Sequence, residues 1–162
     1  MTWWGGKVRR VRAYLDAGIA LAEREALAAW LSPAQLALFD AMHIADQRHG
    51  LDVMGALRSW GTTDPDLLLA GLFHDAAKGP TVGLLHRVSW SLGERYGSWV
   101  WTLSALLPGF PAAHARLRDH AQASADLALA AGCGPRSAAL IRGQAAPIDV
   151  DGRLLLRADE AH

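Results

Sequence analysis

The sequence predicts an all-α protein, a single-domain helical bundle that spans residues 1–162. Three observations lead to this prediction. Apolar residues recur at intervals of three and four along most of the chain, which places them on one face of an α-helix. Capping residues, prolines and glycines stand at the ends of these segments, where helices begin and break. The strict alternation of apolar and polar residues that is typical of strands is absent.

The N-terminal part of the chain contains three predicted helices. The first covers about residues 8–31, where Leu15 and later apolar residues recur at helical spacing and form one stripe. Ser32 is a favoured capping residue and a proline follows it, so a second helix is predicted from there toward residue 46. A third helix is predicted at about 48–60, because a glycine follows and ends it.

The fourth predicted helix is the most apolar segment of the chain. It starts at Pro65, with Thr63 or Asp64 as its cap, and ends near Gly79. Residues 67–73 are apolar on nearly every side, which predicts a buried helix at the centre of the bundle. Glycine and proline breaks separate the remaining segments, with a loop at 147–152 and helices at about 84–96, 98–107, 112–131, 136–142 and from 154 onward.

The composition excludes several classes of protein. A chain that is 51% apolar and 20% charged has enough to bury to form a folded domain. Sixteen basic and sixteen acidic residues give a net charge of zero, so no overall field attracts nucleic acid. No apolar run is long enough to span a membrane, and residues 1–12 do not resemble a signal peptide. The lone cysteine, Cys133, forms no internal disulfide and fits a cytoplasmic protein.

The chemically informative residues are ionisable groups where the helical pattern predicts burial. His74 and Asp75 come directly after the most apolar segment. Burying a carboxylate is costly unless it is paired, hydrogen-bonded or bound to a metal, so this doublet needs partners. His49, His120 and Asp159 are the candidates. Two imidazoles and two carboxylates would balance the charge of a divalent cation and leave positions for water and substrate.

Taken in order, His49, the doublet His74-Asp75 about one helix later, and Asp159 on the last predicted helix resemble the motif of the HD superfamily of metal-dependent phosphohydrolases. The resemblance covers about residues 39–159. It implies an HD-type helical bundle around one divalent metal ion, with those four residues as its ligands. It also implies hydrolysis of a phosphate ester of a nucleotide or similar small molecule by a metal-activated water. Mn, Fe, Ni, Co, Zn and Mg are not distinguished by these residues.

The resemblance assigns further roles near the metal. Asp75 would orient the attacking water, and Lys78 matches a lysine that many members carry after the doublet, which would contact a substrate phosphate. His120 matches a histidine with which some relatives hold a second metal. Gln144 stands where those relatives have a further histidine, so we expect one tightly bound ion, with His120 contacting substrate or donating a proton.

Several candidates have a second interpretation. Arg48 would either neutralise a phosphate oxygen or form a salt bridge. The salt bridge is the preferred interpretation, because Arg48 points about 100° away from its neighbour His49 on a helix. His86 and Arg87 would line the mouth of a pocket, where His86 would contact phosphate, or would simply start an exposed helix. His114 is expected at the surface. The tryptophans of the 90–101 region would pack in a core or interface, or stack on a nucleobase; they are Trp90, Trp99 and Trp101.

Two other functions remain open from the sequence. The first is a metal-stabilised binding or regulatory module without turnover, which the missing histidine at Gln144 favours. The second is an oxygen-activating di-iron enzyme, which would need more histidines than the matched positions supply. The expected partner is a small phosphorylated substrate rather than nucleic acid or a membrane, and the sequence leaves open whether the chain forms a homodimer.

Overall fold

The fold consists of packed α-helices. The structure is a computed structural model that describes residues 11–12 and 14–162, and these residues contain helices but no strand, which confirms the all-α prediction. No helix among them is long and apolar enough to cross a membrane. The helices are α1 (Leu21–Trp30), α2 (Pro33–Ala41), α3 (Ile44–Ser59), α4 (Pro65–Phe73), α5 (Leu84–Tyr96), α6 (Trp99–Ser104), α7 (Phe110–Ala130), α8 (Pro135–Arg142) and α9 (Val150–Ala161), with a 3₁₀ helix at Ala76–Lys78.

Helix α4 lies at the centre of the bundle, as its apolar sequence predicts. It packs against α3, α7, α8 and α9, and most of its residues are buried. Asp64 is its cap, since the Asp64 carboxylate accepts a hydrogen bond from the N–H of Asp66. The helix ends at Phe73 rather than near Gly79, because the backbone turns there into the 3₁₀ helix. The hydroxyl of Ser124 on α7 accepts a hydrogen bond from the N–H of Ala77 in this 3₁₀ helix.

Helices α3 and α4 approach each other closely at Gly50. A Cβ atom on Gly50 would lie 2.4 Å from the carbonyl oxygen of Leu72, so only glycine fits at this crossing without movement. Gly50 follows His49, and Leu72 comes two residues before His74. The crossing therefore places the two histidines side by side.

The predicted helix at 8–31 is wrong as one continuous helix. Residues 11–12 and 14–15 are helical, residues 17–20 are not, and α1 begins only at Leu21. The carboxylate of Glu23 accepts a hydrogen bond from the N–H of Ala20 at 2.9 Å, which fixes this start, and Gly18 in the break is a poor helix former. Leu15 is consequently 69% exposed. The predicted part at 8–10 lies outside the described residues.

Two further boundaries differ from the predictions because of side-chain caps, and α6 ends at Ser104 rather than near residue 107, where hydrogen bonds of the i→i−3 type follow. The second helix ends well before residue 46, because His43 caps α3 and its Nδ1 accepts a backbone N–H at 3.1 Å. The loop predicted at 147–152 is wrong beyond Asp149. The carboxylate of Asp149 caps α9 by accepting a backbone N–H at 2.8 Å.

Candidate metal centre

Three helices bring two histidines and an aspartate together. His49 lies on α3, His74 directly follows α4, and Asp159 lies on α9. One ligand atom from each residue lies within 4.8 Å of the others. Oδ1 of Asp159 lies 2.8 Å from Nε2 of His49 and 3.6 Å from Nε2 of His74. We call these three residues the His–Asp cluster.

Asp75, the fourth predicted ligand, lies at the edge of the His–Asp cluster. Its Oδ2 is 3.6 Å from Nε2 of His74, and Lys78 forms an ion pair with the same oxygen. Its other oxygen lies 3.5 Å from Nε2 of His120. The buried carboxylate of Asp75 therefore joins the cluster to Lys78 and His120.

The imidazole of His74 has one satisfied and one unsatisfied nitrogen. The side chain is buried, with 1% of the residue exposed, and its Nδ1–H donates to the carbonyl oxygen of Gly71 at 2.9 Å. Its Nε2 has no hydrogen-bond partner among the described residues, which is unusual for a buried polar atom. Histidines that bind metals commonly donate the other ring N–H to a backbone carbonyl in this way. The residues present therefore fit a metal ion at Nε2 of His74.

The charges around Nε2 of His74 favour a cation at this position. Burial alone would lower the pKa of His74, but the carboxylates of Asp75 and Asp159 outweigh burial and raise this pKa to about 9. Burial would raise the pKa of both carboxyl groups, yet Lys78 and His74 hold that of Asp75 well below its usual range, and the hydrogen bond with His49 does the same for Asp159. The two carboxylates therefore stay ionised beside Nε2.

A cavity of about 400 Å³ opens beside the cluster and is lined by the predicted substrate residues Lys78 and His120 and by Gln144. The Nδ1–H of His120 donates to the carbonyl oxygen of Leu117 at 2.6 Å, so a neutral His120 presents an unprotonated Nε2. The amide nitrogen of Gln144 donates to the carbonyl oxygen of His74 at 3.2 Å. Gln144 thus supports the backbone at His74, from the position where HD proteins with two metals would have a histidine.

The structure does not bring Arg48 or His86 to the cluster. Arg48 forms salt bridges with Glu23 and Asp52 at 2.7 and 2.8 Å and lines a different cavity, so the salt-bridge interpretation is confirmed. Nδ1 of His86 accepts the N–H of Gly83 at 3.1 Å, and the His86 ring packs on an aromatic ring outside the cavity. His86 thus serves the start of α5.

The aromatic region around α5 differs from the prediction at one residue. His114, expected at the surface, is buried, and its Nε2 lies 3.3 Å from the hydroxyl of Ser89. The rings of Trp90 and Trp101 stack on each other with centroids 4.8 Å apart, and Trp90 also lines the cavity, so the nucleobase interpretation of Trp90 stays a prediction. Trp99 is 59% exposed.

Sequence reasoning placed Arg87 at the mouth of a pocket but missed Asp46, and both residues line the cavity. Asp46 is buried on α3, one turn before His49 and on the same face. Both of its carboxylate oxygens accept hydrogen bonds from Arg87 on α5, at 2.7 Å each. The spacing of Asp46 from His49 was the one available signal, since nothing in the sequence links Asp46 to an arginine 41 residues away.

Comparisons with protein-family models, curated proteins and solved structures found no match to this chain. The resemblance to the HD superfamily therefore stays a prediction from the motif.

Proposed function

We propose that the protein is a metal-dependent phosphohydrolase that cleaves a phosphate ester of a nucleotide or similar small molecule. The observation that carries this proposal is the buried Nε2 of His74, which has no hydrogen-bond partner among the described residues, faces Asp159 and lies beside His49. Two imidazole nitrogens and a carboxylate oxygen suit a divalent transition metal. In this proposal the His–Asp cluster holds one ion, and Asp75 completes its surroundings.

A divalent cation supplies this chemistry by lowering the pKa of a water molecule and by polarising a phosphoryl oxygen. The chain would supply the positioning. The carboxylate of Asp75 stays ionised beside Nε2 of His74, so it would accept a hydrogen bond from the attacking water and orient it. Lys78 lines the cavity beside it and would place a positive charge next to the phosphate.

His120 would contact the substrate as a hydrogen-bond acceptor. Burial lowers the pKa of His120 more than Asp75 raises it, so the imidazole is neutral near pH 7. Its Nδ1–H is used by the carbonyl oxygen of Leu117, which leaves the Nε2 lone pair for a hydroxyl group or a water molecule. This geometry favours acceptance over the proton donation that the sequence left open.

The proposal places the protein in the cytoplasm with a small phosphorylated substrate as its partner. The single cysteine, Cys133, is buried as a free thiol, in keeping with a reducing compartment. The balanced composition gives neither nucleic acid nor a membrane surface a role in this proposal.

The test is hydrolysis of p-nitrophenyl phosphate and a panel of nucleotides by chelator-treated protein with Mn, Co, Ni, Zn or Mg added back. We expect activity with at least one metal. Asp75→Asn should lower that activity by about 100-fold or more, since positioned groups of this kind contribute about 10²–10⁴-fold. Asp52→Asn is the matched control, because this α3 carboxylate pairs with Arg48 outside the cavity. A wild-type protein that hydrolyses nothing with any metal contradicts the proposal.

A metal-stabilised binding or regulatory module is the second candidate function. It is favoured by Gln144, whose amide supports the backbone of the doublet and is a poor metal ligand. Such a module would gain thermal stability on adding metal without hydrolysing any phosphate ester. Asp75→Asn would then lower its stability and change no rate.

A further inference from the structure

Arg87 is held in one orientation at the wall of the cavity. Its two terminal nitrogens donate to both oxygens of Asp46, and its Nε–H donates to the carbonyl oxygen of Val82 at 3.0 Å. The ring of Tyr14 lies against the guanidinium, with Cζ 5.5 Å from the ring centroid. The Arg87 side chain is 19% exposed, and Asp46 beneath it is buried. Contacts with Asp46, Val82 and Tyr14 therefore fix the plane of this guanidinium.

Arg87 retains hydrogen-bonding capacity toward the cavity. A guanidinium carries five N–H groups, and the three hydrogen bonds to Asp46 and Val82 use three of them. No residue in the described part of the chain accepts a hydrogen bond from the other two, which lie one on each terminal nitrogen. Arg87 lines the same cavity as His49, Asp75 and Lys78.

We infer that Arg87, oriented by Asp46, is a phosphate-binding residue that selects phosphate monoesters. This inference rests on the proposed function, to which it adds a contact and a substrate class. The Asp46 fork leaves the two unused N–H groups of Arg87 on opposite edges of the guanidinium, so one of them would donate to one phosphate oxygen. Lys78 would add a point charge, which Asp75 already pairs. Three positive groups would each contact one non-bridging phosphate oxygen: a cation at the His–Asp cluster, Lys78 and Arg87. A monoester carries three such oxygens and a diester only two.

The alternative is that the pair serves the fold alone, because it joins α3 to α5 and a buried ion pair is often structural. Arg48 provides a matched control for that alternative. It lies on α3, pairs with two carboxylates and is partly buried, but it lines the other cavity. A structural role predicts that replacing either arginine changes stability without changing the affinity of the folded protein for phosphate.

The experiment measures binding of inorganic phosphate to the full chain by isothermal titration calorimetry, with and without Mn²⁺. We expect Arg87→Met to weaken phosphate binding by about 10- to 100-fold, the size of a lost charge-assisted hydrogen bond. Arg48→Met should bind like the wild type. Equal phosphate affinity in wild type and Arg87→Met, or no phosphate binding by the wild type, overturns the inference.

Two further variants keep the test decisive if Arg87→Met does not fold. Arg87→Lys retains a positive charge opposite Asp46 but lacks the planar fork, so phosphate affinity should still fall several-fold. Asp46→Asn keeps Arg87 but removes one of its two anchoring hydrogen bonds, and should weaken phosphate binding of the folded protein. Wild-type affinity in both variants overturns the inference. A wild type that binds phosphate through Arg87 yet hydrolyses nothing rejects the proposed turnover and leaves the phosphate site standing.

Discussion

The crossing of α3 and α4 at Gly50 makes Gly50→Ala a direct test of how the fold positions His49. The new Cβ would lie 2.4 Å from the carbonyl oxygen of Leu72 and 3.2 Å from its carbonyl carbon. Both are backbone atoms, which cannot rotate away as a side chain can. Carbon atoms reach favourable contact only near about 3.5 Å, so the two helices must separate locally by about 1 Å.

The magnitude follows from this displacement. Forcing an extra methyl group into a well-packed contact costs about 1–3 kcal/mol of the free energy of unfolding. The displaced residues flank His49 and His74, and metal sites tolerate changes in ligand distance of only about 0.2 Å. We therefore expect Gly50→Ala to weaken metal binding by about tenfold or more. Losing a residue that orients a metal ligand weakens metal affinity by a similar factor.

The assay is urea denaturation of the metal-free protein, followed by a metal titration of the folded protein. Gly55→Ala is the matched control, because Gly55 lies on the same helix and nothing lies within 4 Å of its added Cβ. That substitution should raise the free energy of unfolding by about 0.5–1 kcal/mol. The reasoning is refuted if Gly50→Ala is as stable as Gly55→Ala and binds metal like the wild type.

Three further predictions concern residues around the site. Ser124→Ala should lower the free energy of unfolding by about 1–3 kcal/mol in urea denaturation, because the buried hydroxyl accepts the N–H of Ala77 at 2.9 Å. Burial lowers the pKa of His114, so the unfolded chain binds a proton more readily than the folded one. Wild-type stability should therefore fall relative to His114→Gln as the pH drops below about 6.5 and stay level above it, as measured by urea denaturation across that range. Cys133 is buried and burial raises the pKa of its thiol, so a thiol reagent should react with it only after unfolding, which absorbance kinetics will show.

Each of these predictions has an outcome that contradicts it. Ser59→Ala removes an exposed hydroxyl and is the control for Ser124→Ala, so equal stability of the two variants would count against the role of Ser124. A stability difference between wild type and His114→Gln that does not change with pH would contradict the buried, proton-poor state of His114. Rapid labelling of the native protein would contradict the burial of Cys133.

Much of the fold could be predicted because local sequence determined it. Ser32 caps α2, Asp64 caps α4, and α5 spans the residues that the apolar spacing indicated. Where the prediction failed, a side chain forms a bond that hydrophobic spacing does not encode. The carboxylate of Glu23 accepts a hydrogen bond from the N–H of Ala20, so α1 starts there and the predicted first helix is not continuous. His43 caps α3, a position that Ser, Thr, Asp or Asn usually occupies.

The site could be predicted only as far as its motif extends. His49, His74 and Asp159 come together from opposite ends of the chain, as the spacing of the motif predicted. The partnership of Asp46 with Arg87 could not be predicted, because it depends on how α3 and α5 pack rather than on local sequence.

Metal stoichiometry shows whether the His–Asp cluster binds a divalent cation. Wild-type protein and Asp159→Ala would be reconstituted with Mn²⁺ or Zn²⁺, desalted and measured by mass spectrometry of the metal, with circular dichroism confirming that both are folded. We expect about one ion per wild-type chain and a large loss in the folded variant. Wild-type protein that retains no metal, or an Asp159→Ala variant that retains it fully, would contradict metal binding at the His–Asp cluster.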